Sequence, residues 1–129
     1  MRTFETLLPL ATALTIIGAL ALSLSAASGE PTLTLTLRAD GMAFYLDGES
    51  AANPPLVLPP DRRVRITFVN EDQGVAHDLV LAELDVRTDI LPGDGSSQVL
   101  EFRTPRRKSD SSYSCSMHLI MMTGALEIR

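Results

Sequence analysis

Apolar and polar residues alternate along most of the chain after about residue 30. Residues 32–37 read Thr-Leu-Thr-Leu-Thr-Leu, and residues 64–69 place Val64, Ile66 and Phe68 on one side. A period of two is typical of a half-buried strand. Turn residues separate further strands or short apolar runs, which are predicted at 42–46, 56–58, 77–81, 99–102, 112–115 and 123–128. Seven or eight short strands predict an all-β fold, a β-sandwich.

The first thirty residues have a different pattern. Residues 7–24 are almost continuously apolar, and no charged residue lies between Glu5 and Glu30. Arg2 precedes this run and small residues follow it, which is the order of a secretory signal peptide, here residues 1–27. The run also approaches the length that spans a bilayer, so an uncleaved N-terminal membrane anchor is the alternative. In both cases an apolar leader helix precedes a domain of residues 28–129, which we expect to be exported to the periplasm or another extracytoplasmic space.

Length and charge restrict the domain further. The chain has 129 residues, enough for one domain of ordinary size besides the leader. Its 16 acidic and 11 basic residues argue against a nucleic-acid partner, since phosphate binding needs a basic face. An acidic surface suits a carrier that meets basic patches on other proteins, although it also serves ordinary solubility. We expect a monomer.

The residues with distinctive chemistry lie near the C-terminus. Residues 115–122 contain the single cysteine, Cys115, one of the two histidines, His118, and two adjacent methionines, Met121 and Met122. Thiolate, imidazole and thioether groups are soft or borderline ligands, and this mixture suits copper. A lone cysteine in an exported protein is buried, bonded to another chain or held by a metal. The cluster therefore predicts a metal loop.

The other histidine completes a copper-type ligand set. His77 begins a predicted strand, and a sandwich brings loops from distant parts of the sequence to the same end. His77, Cys115 and His118 in one plane, with a methionine thioether above, would form the trigonal copper site typical of electron transfer. We therefore predict one type 1 copper ion that cycles between Cu(I) and Cu(II).

Strand phase favours one of the two methionines as the fourth ligand. In the last predicted strand, Leu126 and Ile128 must face the core of the sandwich. Met122 is also an even-numbered position and therefore lies on the same side. Met121 would then point away from the core. The pattern favours Met122 as the axial ligand, with Met121 as the alternative.

Other chemistries fit less well. A single histidine, cysteine or methionine is often structural, so the prediction depends on the combination. A Cys–His nucleophilic pair needs a third, orienting group. Structural zinc prefers four Cys or His ligands, and the chain has three such residues. No feature suggests an enzyme. An electron carrier, a protein that delivers or stores Cu(I), and an accessory domain with an empty site remain as alternatives.

Three segments resemble the cupredoxins of the plastocyanin and azurin superfamily. Residues 64–80 match the strand and loop before the first histidine of that family, and residues 86–105 resemble its middle. The most specific segment is Tyr113-x-Cys115-x-x-His118-x-x-x-Met122-x-Gly124. The resemblance covers about residues 32–129. It implies a Greek-key β-sandwich that carries single electrons between exported or membrane redox proteins. It also implies that His77, Cys115 and His118 are equatorial ligands, that Met122 is axial, and that Asn70 shapes the site.

The chain departs from this family at several positions. Asp78 stands where many members have Asn, and its carboxylate could accept a bond from Ser116 or a backbone N–H. Residues 106–112 replace the usual Pro-Gly turn with a basic loop. Residues 117 and 119–121 are unusually apolar. We expect them either to pack against a neighbouring loop or to form a docking surface beside His118.

Overall fold

The computed structural model describes residues 29–129, which form a sandwich of two β-sheets. The strands are β1 (Leu33–Asp40), β2 (Ala43–Leu46), β3 (Leu56–Leu58), β4 (Arg63–Asn70), β5 (Val80–Leu81), β6 (Val86–Arg87), β7 (Ser97–Arg103), β8 (Ser109–Ser114) and β9 (Thr123–Ile128). A single 3-10 turn, Ala82–Leu84, connects β5 and β6. The predicted all-β sandwich is confirmed.

The two sheets are mixed. The first has the order β2-β1-β4-β7, and the second has the order β3-β9-β8-β5-β6. Strands β1 and β4 are parallel, as are β3 and β9, whereas the other neighbours are antiparallel. Parallel neighbours need a connection that crosses over, so strands distant in sequence lie side by side.

The alternation in sequence determines which side chains form the core. Val64, Ile66 and Phe68 of β4 are fully buried, as predicted from their period of two. Leu126 and Ile128 of β9, in the opposite sheet, are also fully buried. Phe44 lies edge-on to Phe68 of the same sheet, with ring centroids 6.0 Å apart, and it joins the two sheets through a tilted contact with Tyr113 at 5.3 Å. Such pairs stabilise a core beyond their buried area.

Strand direction brings two loops to one end of the sandwich. Strand β4 ends at Asn70 and continues into residues 70–77, which we call the histidine loop. Strand β8 ends at Ser114 and continues into residues 115–122, the cysteine loop. Val80, shortly after the histidine loop, pairs with Ser114 directly before the cysteine loop. The two loops that carry the predicted ligands are therefore neighbours.

The described residues contain nine strands, where the sequence predicted seven or eight. The additional strand is β6, which pairs with β5 and was not predicted. The strand predicted at residues 77–81 is also shorter than expected. His77 makes an isolated bridge with Leu91, and only Val80 and Leu81 pair within the sheet as β5. The basic loop predicted at 106–112 is also shorter, since β8 begins at Ser109.

The predicted leader, residues 1–27, lies outside the described residues. Within residues 29–129, no helix has the length and apolar character needed to cross a membrane.

Candidate metal centre

Two backbone hydrogen bonds to Leu91 fix the position of His77. Its N–H donates to the carbonyl of Leu91 at 3.1 Å, and its carbonyl accepts from Leu91 N–H at 2.8 Å. Asn70, which is fully buried, ties the loop together: its Nδ2 donates to the carbonyls of Val75 at 2.8 Å and Leu91 at 2.9 Å. The side chain of His77 is itself fully buried. Its position therefore depends on a closed hydrogen-bonded loop.

The cysteine loop folds back on itself. Cys115 N–H donates to the carbonyl of Met122 at 3.0 Å, so the two ends of the loop are paired. The carbonyl of His118 accepts from the N–H groups of Met121 and Met122, at 3.1 and 2.8 Å. This turn brings the side chain of His118 back over Cys115.

Three side-chain donors converge at this end of the sandwich. Cys115 Sγ lies 3.6 Å from His77 Nδ1 and 3.6 Å from His118 Nδ1. All three atoms lie within 4.8 Å of one another. The two imidazole rings are nearly edge-to-face, with centroids 5.0 Å apart. The structure thus brings together the three donor residues named from sequence.

These distances fit a shared cation. Metal–nitrogen and metal–sulfur bonds of about 2.0–2.3 Å at trigonal or tetrahedral angles would separate nitrogen from sulfur by about 3.5–3.8 Å. Without a metal, hydrogen bonds between the thiol and the two rings could join the same atoms, but the convergence of both nitrogens on one sulfur also leaves room for an ion between them. The mixture of thiolate and imidazole suits copper. The residues present therefore fit the predicted ion.

Met122 belongs to the same cluster, and Met121 does not. Met122 is fully buried in the core beside Cys115, and Met121 is 56% exposed. The prediction from strand phase, that Met122 faces inward and Met121 outward, is confirmed. His77, Cys115, His118 and Met122 are thus clustered as a site.

The cysteine is protected from water. Burial raises the pKa of the Cys115 thiol, because the thiolate loses its hydration. A bound cation reverses this preference, since a metal-bound thiol is deprotonated. Ionisation of Cys115 is therefore expected only when an ion is bound between Cys115, His77 and His118.

Asp78 links the two loops, as its side-chain chemistry predicted. Its carboxylate accepts from Ser116 N–H and from Ser116 Oγ, both at 2.7 Å. Arg87 Nη2 also donates to it at 3.0 Å. Burial would raise the pKa of Asp78, but the hydrogen bonds from Ser116 and Arg87 hold it below its ordinary value. A charged, fully buried group thus fastens the residue after His77 to the residue after Cys115.

Two contacts around the site were not predicted from sequence. Asp72 Oδ2 lies 2.8 Å from His77 Nε2, and Arg87 forms an ion pair with Asp78. Asp72 lies five residues before His77, within the predicted loop. Loop residues have no periodicity that would single out one carboxylate.

The outer face of the cysteine loop is apolar. Ile120 is fully exposed, and three neighbouring side chains are more than two-fifths exposed; these are Met117, Leu119 and Met121. The sequence left two alternatives for these residues, packing against a neighbouring loop or forming a docking surface. The exposure of Ile120 is inconsistent with packing. Half-buried His118 lies among them along an open depression lined by residues 116–121.

Comparisons with known proteins agree with this geometry. No family model and no curated relative matches the sequence. Auracyanin B has a similar structure at 26% identity, with a TM-score of 0.58 over 75% of this chain and 88% of that one. Rusticyanin from Thiobacillus ferrooxidans is similar at 22% identity and a TM-score of 0.57, over 76% and 77% of the two chains. A copper-binding protein solved by NMR in its apo form is similar at 22% identity and a TM-score of 0.56, over 76% and 88%.

These solved structures share one architecture with the described domain, and the His–Cys–His–Met cluster lies at the pole where its two loops meet. Residues 29–129 therefore have the cupredoxin fold, and their four-residue cluster fits a blue-copper site.

Proposed function

We propose that this protein binds one copper ion and carries single electrons. His77, Cys115 and His118 would be the equatorial ligands and Met122 the axial ligand. The observation that carries this proposal is the convergence of Cys115 Sγ and two imidazole Nδ1 atoms at 3.6 Å. When bound, copper would supply a one-electron couple between Cu(I) and Cu(II).

The surrounding residues suit rapid electron transfer. The histidine loop and the ends of the cysteine loop are closed by backbone hydrogen bonds, so the ligands have little freedom to rearrange. A site that changes little between two oxidation states has a small reorganisation cost. Buried Cys115 and Met122 also keep water away from the ion.

The apolar face of the cysteine loop would be the docking surface for redox proteins. Its exposed side chains surround His118, the one equatorial ligand that is not fully buried. Exposed apolar patches with a polar surround commonly mark protein contacts. Electrons would leave through the His118 ring. The donor and the acceptor would be other proteins, and nucleic acid would not be a partner of this acidic chain.

Cu(I) delivery is the second candidate, and one observation favours it. Met117 and Met121 expose thioethers beside the site, and thioethers are soft ligands that prefer Cu(I). Retention of the metal distinguishes the two functions. A carrier keeps its copper through repeated oxidation and reduction, whereas a delivery protein loses Cu(I) to an acceptor of moderate affinity.

One experiment tests both candidates. Purified protein is loaded with Cu(II), and the intense visible band of thiolate-to-copper charge transfer is recorded. Cys115→Ser should abolish the band, and Met121→Leu should leave it unchanged as a matched control. Reduction with ascorbate and reoxidation, in the presence of a Cu(I) chelator, should return the full band for a carrier. A colourless wild-type protein would contradict copper-based electron transfer.

Export is proposed from the leader. A signal peptide of residues 1–27 or a membrane anchor within residues 7–24 would place the domain in the periplasm or another extracytoplasmic space. Cell fractionation and the intact mass of the processed protein would decide between them. An intact mass equal to that of residues 28–129 would indicate cleavage. The mass of the full chain in the membrane fraction would indicate an anchor. The full mass in the cytosol would contradict export.

A further inference from the structure

We propose that Asp72 is a positioning residue whose negative charge, delivered through His77, lowers the reduction potential of the site. This inference rests on the copper site proposed above. His77 Nδ1 faces Cys115, and Asp72 Oδ2 lies 2.8 Å from Nε2 on the opposite edge of the ring. The two nitrogens of one imidazole thus have separate partners.

The contact fixes which nitrogen carries the proton. A carboxylate can only accept, so Nε2 must donate and Nδ1 is left with a free lone pair that faces the other donors. Carboxylate partners of this kind orient metal-binding histidines and raise their basicity. A more basic imidazole stabilises the more positive ion, Cu(II). Asp72 therefore favours the oxidised state.

The surroundings keep this carboxylate charged and in place. Its Oδ2 also accepts from Met42 N–H at 3.0 Å, within the turn between β1 and β2. The hydrogen bond with His77 lowers the pKa of Asp72 below its ordinary range. The side chain of Asp72 is only 14% exposed and that of His77 is fully buried, so water screens their contact little.

The second contact gives Asp72 a structural role that the test must separate. Gly41 and Met42 both have positive φ, 54° and 64°, as a type I′ hairpin turn requires. A non-glycine residue in this region is strained, and the bond from Met42 N–H to Asp72 helps to hold it. Loss of Asp72 could therefore destabilise the hairpin as well as release His77.

Asp72→Asn separates charge from structure. One oxygen, Oδ2, accepts both hydrogen bonds, so the amide oxygen of Asn can replace it at the same position. The variant keeps the shape and both acceptor contacts but removes the negative charge. Asp72→Ala removes the charge and both contacts. Glu71→Gln is the matched control, because it removes a charge from the next residue, whose side chain is 43% exposed and faces Arg38.

The reduction potential of the copper-loaded protein is measured by redox titration of the visible band, together with the unfolding midpoint and the separate affinities for Cu(I) and Cu(II). We expect Asp72→Asn to shift the ratio of the two affinities about tenfold toward Cu(I), a rise of about 59 mV for one electron, with unchanged unfolding. Asp72→Ala should also weaken copper binding by about 10- to 100-fold. Glu71→Gln should change the ratio less than about twofold, since an exposed charge is screened.

Two results would overturn the inference. One is an Asp72→Asn protein that is blue and folded and has the potential of the wild type. The other needs no variant: NMR of the Cu(I) wild-type protein should show a His77 Nε2 proton that exchanges slowly with solvent because Asp72 holds it, and a His77 Nε2 proton that exchanges freely would exclude the proposed bond even if Asp72→Asn failed to fold. A colourless wild-type protein would instead contradict the proposed function itself.

Discussion

The two loops that meet at the metal centre are built in opposite ways. In the histidine loop the side chains that matter are hidden: Asn70 and His77 are fully buried. In the cysteine loop, Ile120 is fully exposed and Leu119 is 58% exposed. One histidine is thus enclosed by the sandwich, and the other lies at the surface.

The difference assigns separate tasks to the two loops. The histidine loop is packed against the turn at residues 92–95, where Gly74 N–H donates to Gly93 and Gly95 N–H donates to Asn70. The histidine loop can therefore fix the position of His77 and influence the basicity of its imidazole. The cysteine loop is tied at its ends and leaves its middle free for contact. Damage to the first loop should therefore cost stability, and a change in the middle of the second should cost only partner contact.

Gly93→Ala should have the largest effect on stability. A Cβ at this position would lie 1.9 Å from the carbonyl oxygen of Asp72 and 2.7 Å from Val75 N, both backbone atoms of the histidine loop. The loop cannot move aside without losing the bonds that position His77. We expect the free energy of unfolding to fall by about 3 kcal/mol, together with weaker copper binding.

Chemical denaturation of apo and copper-loaded protein measures both effects. Gly29→Ala is the control, because a Cβ there meets nothing within 4 Å and the backbone φ is not positive. A Gly93→Ala protein of wild-type stability would mean that the histidine loop yields easily, and the contrast between the two loops would be lost.

Gly124→Ala should have the next largest effect, at the base of the cysteine loop. A Cβ there would lie 2.4 Å from two ring atoms of buried Tyr113, whose hydroxyl donates to the carbonyl of Pro54 at 2.7 Å. The ring can tilt only by giving up that bond, so we expect a loss of about 2 kcal/mol. Thermal and denaturant unfolding measure it.

A double-mutant cycle identifies the cause. In a Tyr113→Leu background the ring is absent, and Gly124→Ala should then cost much less than in the wild type. Equal costs in both backgrounds would show that the Tyr113 ring is not the obstacle.

Asn53→Asp should have a smaller effect on stability, because it removes one hydrogen bond to the cysteine loop and leaves the core unchanged. Asn53 Nδ2 donates to the carbonyl of Met121 at 2.9 Å, and its Oδ1 accepts from Phe44 N–H at 2.9 Å. Aspartate keeps the acceptor and tolerates the positive φ of 48°, but it cannot donate to Met121. We expect a loss of about 1 kcal/mol.

Amide hydrogen exchange locates the change. Exchange should become faster in residues 116–122 and stay unchanged in residues 70–77. Faster exchange in both loops would contradict their independence.

Two kinds of feature at the metal centre could be predicted from the sequence. One is the inward position of side chains in alternating strands, and the other is the grouping of the few cysteine and histidine residues. Alternation places Phe68 in the core and Met122 inward, because a strand sends successive side chains to opposite faces. The cluster of His77, Cys115 and His118 could be predicted because the chain has one cysteine and two histidines, so few combinations are open. Asp78 could be assigned a partner because it adjoins a predicted ligand.

The remaining contacts depend on loop conformation, which no pattern encodes. Asp72 is one of 16 acidic residues, and its position beside His77 depends on the fold of the histidine loop and on the hydrogen bond from Met42 N–H in the turn between β1 and β2. Asn53 reaches Met121 across 68 residues of sequence. The two-residue strands β5 and β6 are too short to show a period. These features emerge only when the sandwich is assembled.

Ile120→Lys should have the smallest effect on stability and the clearest effect on electron transfer. The side chain is fully exposed at the centre of the apolar face of the cysteine loop, so its replacement should change the free energy of unfolding by less than about 0.5 kcal/mol. The visible band should also stay unchanged, because no ligand is touched. A charge in the middle of a docking surface opposes contact, however, and two copies that meet through this surface would bring two lysines together.

Electron self-exchange measures this without an identified partner, by NMR line broadening in mixtures of Cu(I) and Cu(II) protein. We expect the self-exchange rate to fall about tenfold or more at low ionic strength and to recover partly with added salt, since salt screens the repulsion. Val57→Lys is the matched control, because Val57 is 55% exposed but lies on β3, outside the cysteine loop. If both lysine variants exchange electrons at the wild-type rate, the apolar face is not where electrons leave, and the exposure of the cysteine loop has another cause.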